Sequence, residues 1–119
     1  LYLEEIDLCK RVKNDGGRIL KVNLPIVHFG GISQGDRGSL EMEKSRNWHW
    51  MWSKFYFNKK HQGIFISLLL GLTSLFANFI KYSICLITFN KKRNIYRMRV
   101  SGIMSALLGR QSWYRPEIN

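Results

Sequence analysis

Residues 62–80 constrain the possible folds of this chain most strongly, because none of them is charged and most are Ile, Leu or Phe. Lys81 is the only charged residue in the longer stretch 62–90. As an α-helix, 19 uncharged residues extend about 28 Å, close to the roughly 30 Å thickness of a bilayer's hydrocarbon core. We therefore predict an apolar, membrane-associated helix within residues 63–90.

Small and polar residues form one stripe along this predicted helix, at alternating steps of four and three. The stripe consists of Ser67, Gly71, Ser74, Asn78, Lys81, Cys85 and Thr88. The remaining apolar arc is too wide to face water, so the helix must lie in lipid or against other helices. Two arrangements fit. The stripe lets another helix approach closely in a membrane span, or it faces the headgroups while the apolar face enters the membrane in plane.

Basic residues flank the apolar segment on both sides. They are Lys59 and Lys60 before it, and Lys91, Lys92, Arg93, Arg97 and Arg99 after it. A single span would place one basic cluster on the outer side of the membrane, against the usual preference for the cytoplasmic side. This favours an in-plane or re-entrant helix at the cytoplasmic face, with a simple transmembrane helix as the alternative.

Charge is distributed unevenly along the chain. Residues 1–43 hold six Lys or Arg against seven Asp or Glu, whereas residues 44–119 hold thirteen against one, Glu117. The net charge therefore changes from −1 to +12, and such a basic region needs an anionic partner. The apolar segment favours an anionic membrane surface over nucleic acid, and the sequence contains no recognisable nucleic-acid-binding module.

Aromatic residues are densest at residues 48–57, inside a helix predicted over residues 40–61. Trp and Tyr beside Lys favour the membrane interface. Alternatively, Trp48, Trp52 and Phe55 form one helical face that packs onto a catalytic core, and base stacking is a third reading. A basic amphipathic helix is predicted over residues 94–108, followed by an aromatic tail to which the sequence assigns no role.

The amino-terminal third carries the residues with catalytic potential. A helix is predicted here with acidic residues first and basic residues last, as the helix dipole prefers, and Gly16 and Gly17 end it. Alternating apolar residues then predict a strand over residues 18–29. Taken alone, Glu4 and Glu5 are typical of a solvated helix start, and His28 of a strand-end residue bonded to backbone.

Three motifs in this third occur in order: Leu-Tyr-Leu-Glu-Glu-Ile-Asp-Leu-Cys-Lys-Arg, then Gly-Gly-Arg-Ile, then Val-His-Phe-Gly-Gly-Ile-Ser. Together they resemble the end of the catalytic domain of bacterial family 2 glycosyltransferases, especially the rhamnosyltransferases. The resemblance implies an α/β fragment, mostly helical as present, that forms the carboxy-terminal end of a GT-A type nucleotide-diphospho-sugar transferase domain with membrane-associated helices. Residues 1–38 would be the end of that domain (helix, strand and acceptor-side loop), 39–62 an aromatic and basic helix, 63–90 the apolar membrane-associated helix, and 91–119 a basic amphipathic helix and tail.

The resemblance implies inverting transfer from a nucleotide-diphosphate sugar, with dTDP-rhamnose the favoured donor, to a lipid-linked or polysaccharide acceptor. Glu5 matches the carboxylate that removes the acceptor's proton, with Glu4 as the alternative base. His28 matches a histidine beside the donor diphosphate that, in some members, binds a divalent metal, Mg²⁺ or Mn²⁺.

An acceptor-side loop is implied after His28, where Gly30, Gly31 and Ser33 let the backbone approach substrate and move. Asp7 and Arg11, at positions i and i+4 of the first helix, are predicted to form a supporting ion pair. Two cysteines, Cys9 and Cys85, are too few and too differently placed for a disulfide framework or a metal site.

The nucleotide-binding strands and the Asp-x-Asp motif of this family have no counterpart in the sequence. We therefore expect a fragment whose reading frame extends upstream, inactive alone and located at the cytoplasmic face of the bacterial inner membrane. The alternative is a small non-enzymatic membrane protein whose basic and aromatic residues bind lipid.

Overall fold

The computed structural model describes residues 2–27 and 40–115, and within these ranges it contains four α-helices. They are α1 (Glu4–Asn14), α2 (Leu40–Gln62), α3 (Ile64–Ile87) and α4 (Arg93–Leu107). The last three correspond to the helices predicted over residues 40–61, 63–90 and 94–108, with small differences at the ends. Their hydrophobic period and Gly63, which separates α2 from α3, are local signals, which explains the agreement.

The predicted strand over residues 18–29 is wrong in its described part. Residues 18–27 are irregular and exposed, including Ile26, of which 81% is accessible. A strand needs a neighbouring strand to pair its backbone N–H and C=O groups, and the described ranges contain none. The expected α/β fragment, as the end of a GT-A type domain, is therefore contradicted. The described chain is all-helical.

Helices α2, α3 and α4 pack against one another. Arg99 of α4 donates a hydrogen bond to Asn47 of α2. Later in the chain, Trp52 of α2 donates to Arg110, which follows α4. Because the later residue of α2 contacts the later residue of the second segment, α2 and α4 run in the same direction. Gly71, near the start of α3, lies between Phe55 of α2 and Leu107 at the end of α4. Helix α3 therefore runs opposite to both neighbours.

Trp48 is the centre of this three-helix unit. Its side chain is fully buried, and its indole Nε1 donates a hydrogen bond to the Ser101 hydroxyl at 3.2 Å. Gly102 on α4 lies directly against the Trp48 backbone, where a Cβ atom would overlap the Trp48 carbonyl oxygen. The close approach of α2 and α4 at this point therefore requires glycine.

Helix α3 turns its small and polar residues inward. Ser67, Gly71, Asn78 and Cys85 are its buried residues, so four members of the predicted stripe face the interior of the three-helix unit. Two others, Lys81 and Thr88, are exposed. Large apolar side chains face outward, among them Phe65, Leu69, Leu72, Phe76, Ile84 and Ile87. This is the reverse of a surface helix in a water-soluble protein, which buries its apolar stripe.

The aromatic run of α2 divides between two sides of the helix. Trp48 and Phe55 are buried, as the packing interpretation expects, but their neighbours belong to α3 and α4 rather than to a catalytic core. Trp52 donates from Nε1 to the Arg110 carbonyl oxygen at 3.0 Å and stacks on Tyr56. Tyr56 and Trp50 are exposed.

The tail after α4 folds back onto α2, which gives its aromatic residues a physical role. The Trp113 and Tyr114 rings pack against Trp48, with ring centroids 5.6 Å and 6.0 Å away. His49 lies 2.9 Å through Nε2 from the Tyr114 carbonyl oxygen. Because a carbonyl can only accept, Nε2 carries the hydrogen, and Nδ1 accepts from the Ser112 hydroxyl at 3.0 Å.

Gly102→Ala should destabilise the three-helix unit, because the added Cβ would push α4 away from the Trp48 backbone. Overpacking of this kind costs about 1–3 kcal/mol. Arg97→Ala, on an exposed position of the same helix, should change stability by less than about 0.5 kcal/mol. Thermal unfolding followed by circular dichroism measures both. Equal midpoints for the two variants would contradict this packing.

Acidification should weaken the docking of the tail. Burial lowers the pKa of His49, and the positive charge of Arg115 adds to this effect, although the bond to Tyr114 opposes it. The unfolded chain, with a histidine pKa of about 6.5, therefore binds more protons than the folded chain, and stability falls as the pH drops below that value. Thermal midpoints measured by tryptophan fluorescence should decrease with pH in this window, and His49→Gln should remove part of the decrease. An unchanged slope in the variant would show that His49 has no such role.

Candidate functional site

The two carboxylates predicted to be catalytic, Glu4 and Glu5, occupy the first turn of α1. Both side chains are exposed, and neither is paired with a cation among the described residues. The amino-terminal end of the helix dipole favours negative charge at this position. The pair is therefore accessible to a substrate hydroxyl, and its catalytic role stays a prediction.

Contacts made by Tyr2 hold the start of α1 in place. Leu3 has a φ of 71°, a left-handed conformation that costs an L residue about 1–2 kcal/mol. The preceding residue, Tyr2, donates its backbone N–H to the Ser53 hydroxyl at 3.4 Å and sets its ring edge-on to Trp50 at 5.9 Å. These contacts fix the direction in which the chain enters the helix.

Asp7 is the most strongly paired residue of α1. Its Oδ2 accepts from Arg11 Nε at 3.0 Å, which is the ion pair predicted from the i, i+4 spacing. Lys60 Nζ lies 2.7 Å from Oδ1, and His61 Nε2 donates to the same oxygen at 2.7 Å. Hydrogen bonds from Lys60, His61 and Arg11 hold the pKa of Asp7 well below its usual range. Asp7 is therefore a fixed negative charge.

One side of α2 provides all of these contacts to α1. It consists of Trp50, Ser53, Phe57, Lys60 and His61, which are spaced by three or four residues and therefore share a helical face. The His61 ring packs on Phe57 with centroids 4.6 Å apart, and Lys10 Nζ lies 5.5 Å from the Phe57 ring centre. No side chain of α1 is buried against the described residues, so polar and ring contacts hold this helix.

The sequence did not predict the roles of Lys60 and His61. They lie 53 and 54 residues from Asp7, and only the fold shows that the start of the chain returns to the end of α2. Their position on the same helical face as the aromatic residues Trp50 and Phe57 was the available signal, but it indicated membrane contact equally well.

The residues assigned to the donor side, His28, Gly30, Gly31 and Ser33, lie outside the described residues. Within residues 2–27 and 40–115, no group of three His, Cys, Asp or Glu side chains is arranged to hold a metal ion. The divalent metal and its ligand His28 therefore stay predictions.

Basic residues lie before, within and after α3, and this part of the sequence contains no acidic residue. Residues 44–115 contain thirteen Lys or Arg and no Asp or Glu. Those exposed include Lys59 and Lys60 before α3, Lys81 on it, and Lys91, Lys92 and Arg93 after it. Exposed cations therefore lie at both ends of α3 and at Lys81, and one of them, Lys60, is paired with Asp7.

By length and composition, α3 is the one helix in the described part of the chain that could cross a bilayer, with a hydropathy of 1.8 over its most apolar window. Only 17% of that window is buried by the rest of the chain. Both criteria describe the helix itself, and neither decides between a span and an in-plane orientation.

Comparison with protein-family models, with curated proteins and with solved structures finds no match to this chain. The likeness to family 2 glycosyltransferases therefore depends on the ordered motifs of the first third, and membership of that family is not shown.

Proposed function

We propose that this chain is the membrane-attached part of an enzyme that transfers a sugar, with inversion, from a nucleotide-diphosphate donor to a lipid-linked or glycan acceptor. The observation that carries the proposal is the attachment of the helix bearing Glu4 and Glu5 to α2, directly before a helix whose exposed side is apolar. A candidate base and a membrane-contacting surface thus occur in one folded unit. The motif series supports glycosyl transfer as the chemistry.

Lipid is the environment that best fits the outward face of α3. Phe65, Phe76 and Ile87 are 85%, 67% and 78% exposed. They belong to one apolar side of α3, and exposing an apolar patch of this size to water is unfavourable. Basic residues at both ends of the helix would meet anionic headgroups, and each contributes about 1 kcal/mol near such a surface. The proposed location is the cytoplasmic face of the bacterial inner membrane, where anionic lipid and nucleotide-sugar donors are both accessible.

An in-plane orientation fits the packing better than a span. Helices α2 and α4 pack along α3 and carry exposed cations such as Lys54 and Arg97. A spanning α3 would carry these charges into the hydrocarbon core at about 2.5–3.5 kcal/mol each on insertion scales. With α3 in the membrane plane, its outer face enters the lipid while α2 and α4 stay at the polar surface.

A general base is the role that the carboxylate pair suits. In an inverting transfer, a carboxylate takes the proton of the acceptor hydroxyl as its oxygen attacks the anomeric carbon, and the nucleoside diphosphate leaves. Glu5 matches this base by resemblance, with Glu4 as the alternative, and both are unpaired within the described chain. Asp7 is unsuited, because the hydrogen bonds that it accepts from Lys60, His61 and Arg11 weaken its affinity for a proton.

The donor side of the proposal is supported by the motif resemblance alone. It comprises a nucleotide sugar, with rhamnose favoured, and a divalent metal near His28 that would stabilise the charge on the leaving diphosphate. The nucleotide-binding region that such a reaction needs has no counterpart in residues 1–119.

A second candidate function is non-enzymatic attachment to anionic membranes. It is favoured by the exposed apolar face of α3 together with the excess of positive charge. It needs no role for Glu4 and Glu5, so catalysis distinguishes the two functions and lipid binding does not.

Membrane attachment predicts that the chain binds vesicles containing phosphatidylglycerol. Phe76→Asp should weaken binding at least tenfold, about 1.4 kcal/mol, because it removes apolar area and adds a charge to the lipid-facing side. Leu24→Asp, which changes an exposed residue outside the helices, is the matched control and should bind as the parent does. Sedimentation with vesicles measures both. Equal loss in the two variants would argue against α3 as the membrane-contacting element.

Catalysis predicts that Glu5→Gln, in the enzyme that joins this chain to a nucleotide-binding region, lowers kcat at least about 100-fold. Donor affinity should be unchanged, since the amide keeps the shape of the side chain and loses only the base. Transfer of radiolabelled sugar and donor titration measure the two quantities. Glu4→Gln is the control and should retain most of the activity.

Three results of this experiment would change the account. A loss of transfer in Glu4→Gln with full activity in Glu5→Gln would assign the base to Glu4. Full activity in both variants would remove the carboxylate pair from the mechanism. Vesicle binding without transfer in the joined enzyme would favour the non-enzymatic candidate.

A further inference from the structure

We propose that Asp7, Lys60 and His61 form a positioning clamp that holds the Glu4 and Glu5 carboxylates at a fixed place relative to the membrane-contacting helix α3. None of the three residues acts on substrate in this role. The inference rests on the proposed function, because it assigns the clamp a purpose in presenting the carboxylates to an acceptor at the membrane surface.

In the clamp, Lys60 contacts both carboxylate oxygens of Asp7 and His61 contacts one of them. Lys60 Nζ lies within 2.7 Å of one Asp7 carboxylate oxygen and 2.8 Å of the other, and His61 Nε2 donates to the first of these at 2.7 Å. The His61 side chain is only 7% exposed and that of Asp7 is 20% exposed, whereas the Lys60 side chain is 40% exposed. The bond to His61 is therefore the better shielded of the two. Charge-assisted bonds that are partly shielded from water are stronger than an exposed surface pair.

The clamp connects the start of α1 to the end of α2, next to the start of α3. Lys60 and His61 belong to the last turn of α2, which ends at Gln62, and α3 begins at Ile64. On the other side, Glu5 precedes Asp7 by two residues, a rise of about 3 Å along α1. One set of bonds therefore connects the turn that carries the carboxylates to the turn from which the membrane-contacting helix starts.

Helix α1 has few other means of holding its position. It buries no side chain against the described chain, and its remaining attachments are Tyr2 on Trp50 and Ser53, and Lys10 over Phe57. The core around Trp48 and Ile103 lies on the opposite face of α2. Loss of the clamp should therefore release α1 while the three-helix unit stays folded, which distinguishes a positioning role from a contribution to overall stability.

Distance measurements between spin labels test this directly. Cys9 is an exposed thiol on α1, and Arg97→Cys provides a second exposed site on α4, with the buried Cys85 replaced by Ser. Pulsed electron resonance on the whole chain, in solution and on phosphatidylglycerol vesicles, gives the distribution of distances between the two labels. The parent should show one narrow distribution, and Asp7→Asn should lose it while the thermal midpoint of the helices stays unchanged.

Matched variants separate the clamp from the charge of α1 alone. Asp7→Glu keeps the carboxylate and should restore the narrow distribution, whereas Lys60→Met and His61→Gln should each broaden it. Arg11→Gln removes the third partner of Asp7, which is on α1 itself, and should leave the distribution narrow.

Outcomes for the clamp and for the proposed function can be told apart. A narrow distribution that survives Asp7→Asn, or a broad one in the parent, would overturn the clamp even if the chain binds vesicles strongly. A clamp-dependent narrow distribution in solution, in a chain that fails to bind vesicles, would support the clamp and count against membrane attachment.

Discussion

The burial of a small, polar stripe on α3 is the constraint on which the rest of the structure depends. Gly71 admits the Phe55 ring, and a Cβ there would lie 2.9 Å from that ring. Ser67 bonds its own helix, with Oγ donating to the Ile64 carbonyl oxygen at 2.7 Å. Because the small residues face α2 and α4, the large apolar residues have no place except outside. The exposed apolar surface of α3 thus follows from the packing of the three helices.

The attachment of α1 to α2 places the Glu4 and Glu5 carboxylates in the same folded unit as this surface. The helix with Glu4 and Glu5 rests on α2 through charge and ring contacts rather than through a shared core. Asp7 is bonded to Arg11, Lys60 and His61, so in the proposed clamp it positions the helix. The two glutamates are unpaired in the described chain. The division between one fixed carboxylate and two accessible ones is what a base presented at a membrane surface would need.

The sequence predicts the local parts of this arrangement well and the distant ones poorly. The extents of α2, α3 and α4 and the stripe on α3 follow from hydrophobic period and from glycine, which act over a few residues. The strand predicted over residues 18–29 is wrong over its described part, residues 18–27, because alternation describes the side chains, whereas a strand also needs a partner. The contacts of Asp7 with Lys60 and His61, and the contact of Gly102 with Trp48, join residues more than fifty positions apart, which no local pattern encodes.

The most direct test of the account is a spin-label scan along α3 on phosphatidylglycerol vesicles, measuring at each position the accessibility to oxygen in the lipid and to a water-soluble nickel complex. The account predicts a helical period, with Ser67, Gly71 and Asn78 protected from both reagents and outward positions such as Leu69 and Phe76 in lipid at one shallow depth. A depth that increases steadily from Ile64, passes the bilayer centre and decreases toward Ile87 would show a span and contradict the in-plane orientation. Nickel accessibility at the outward positions would contradict membrane contact altogether.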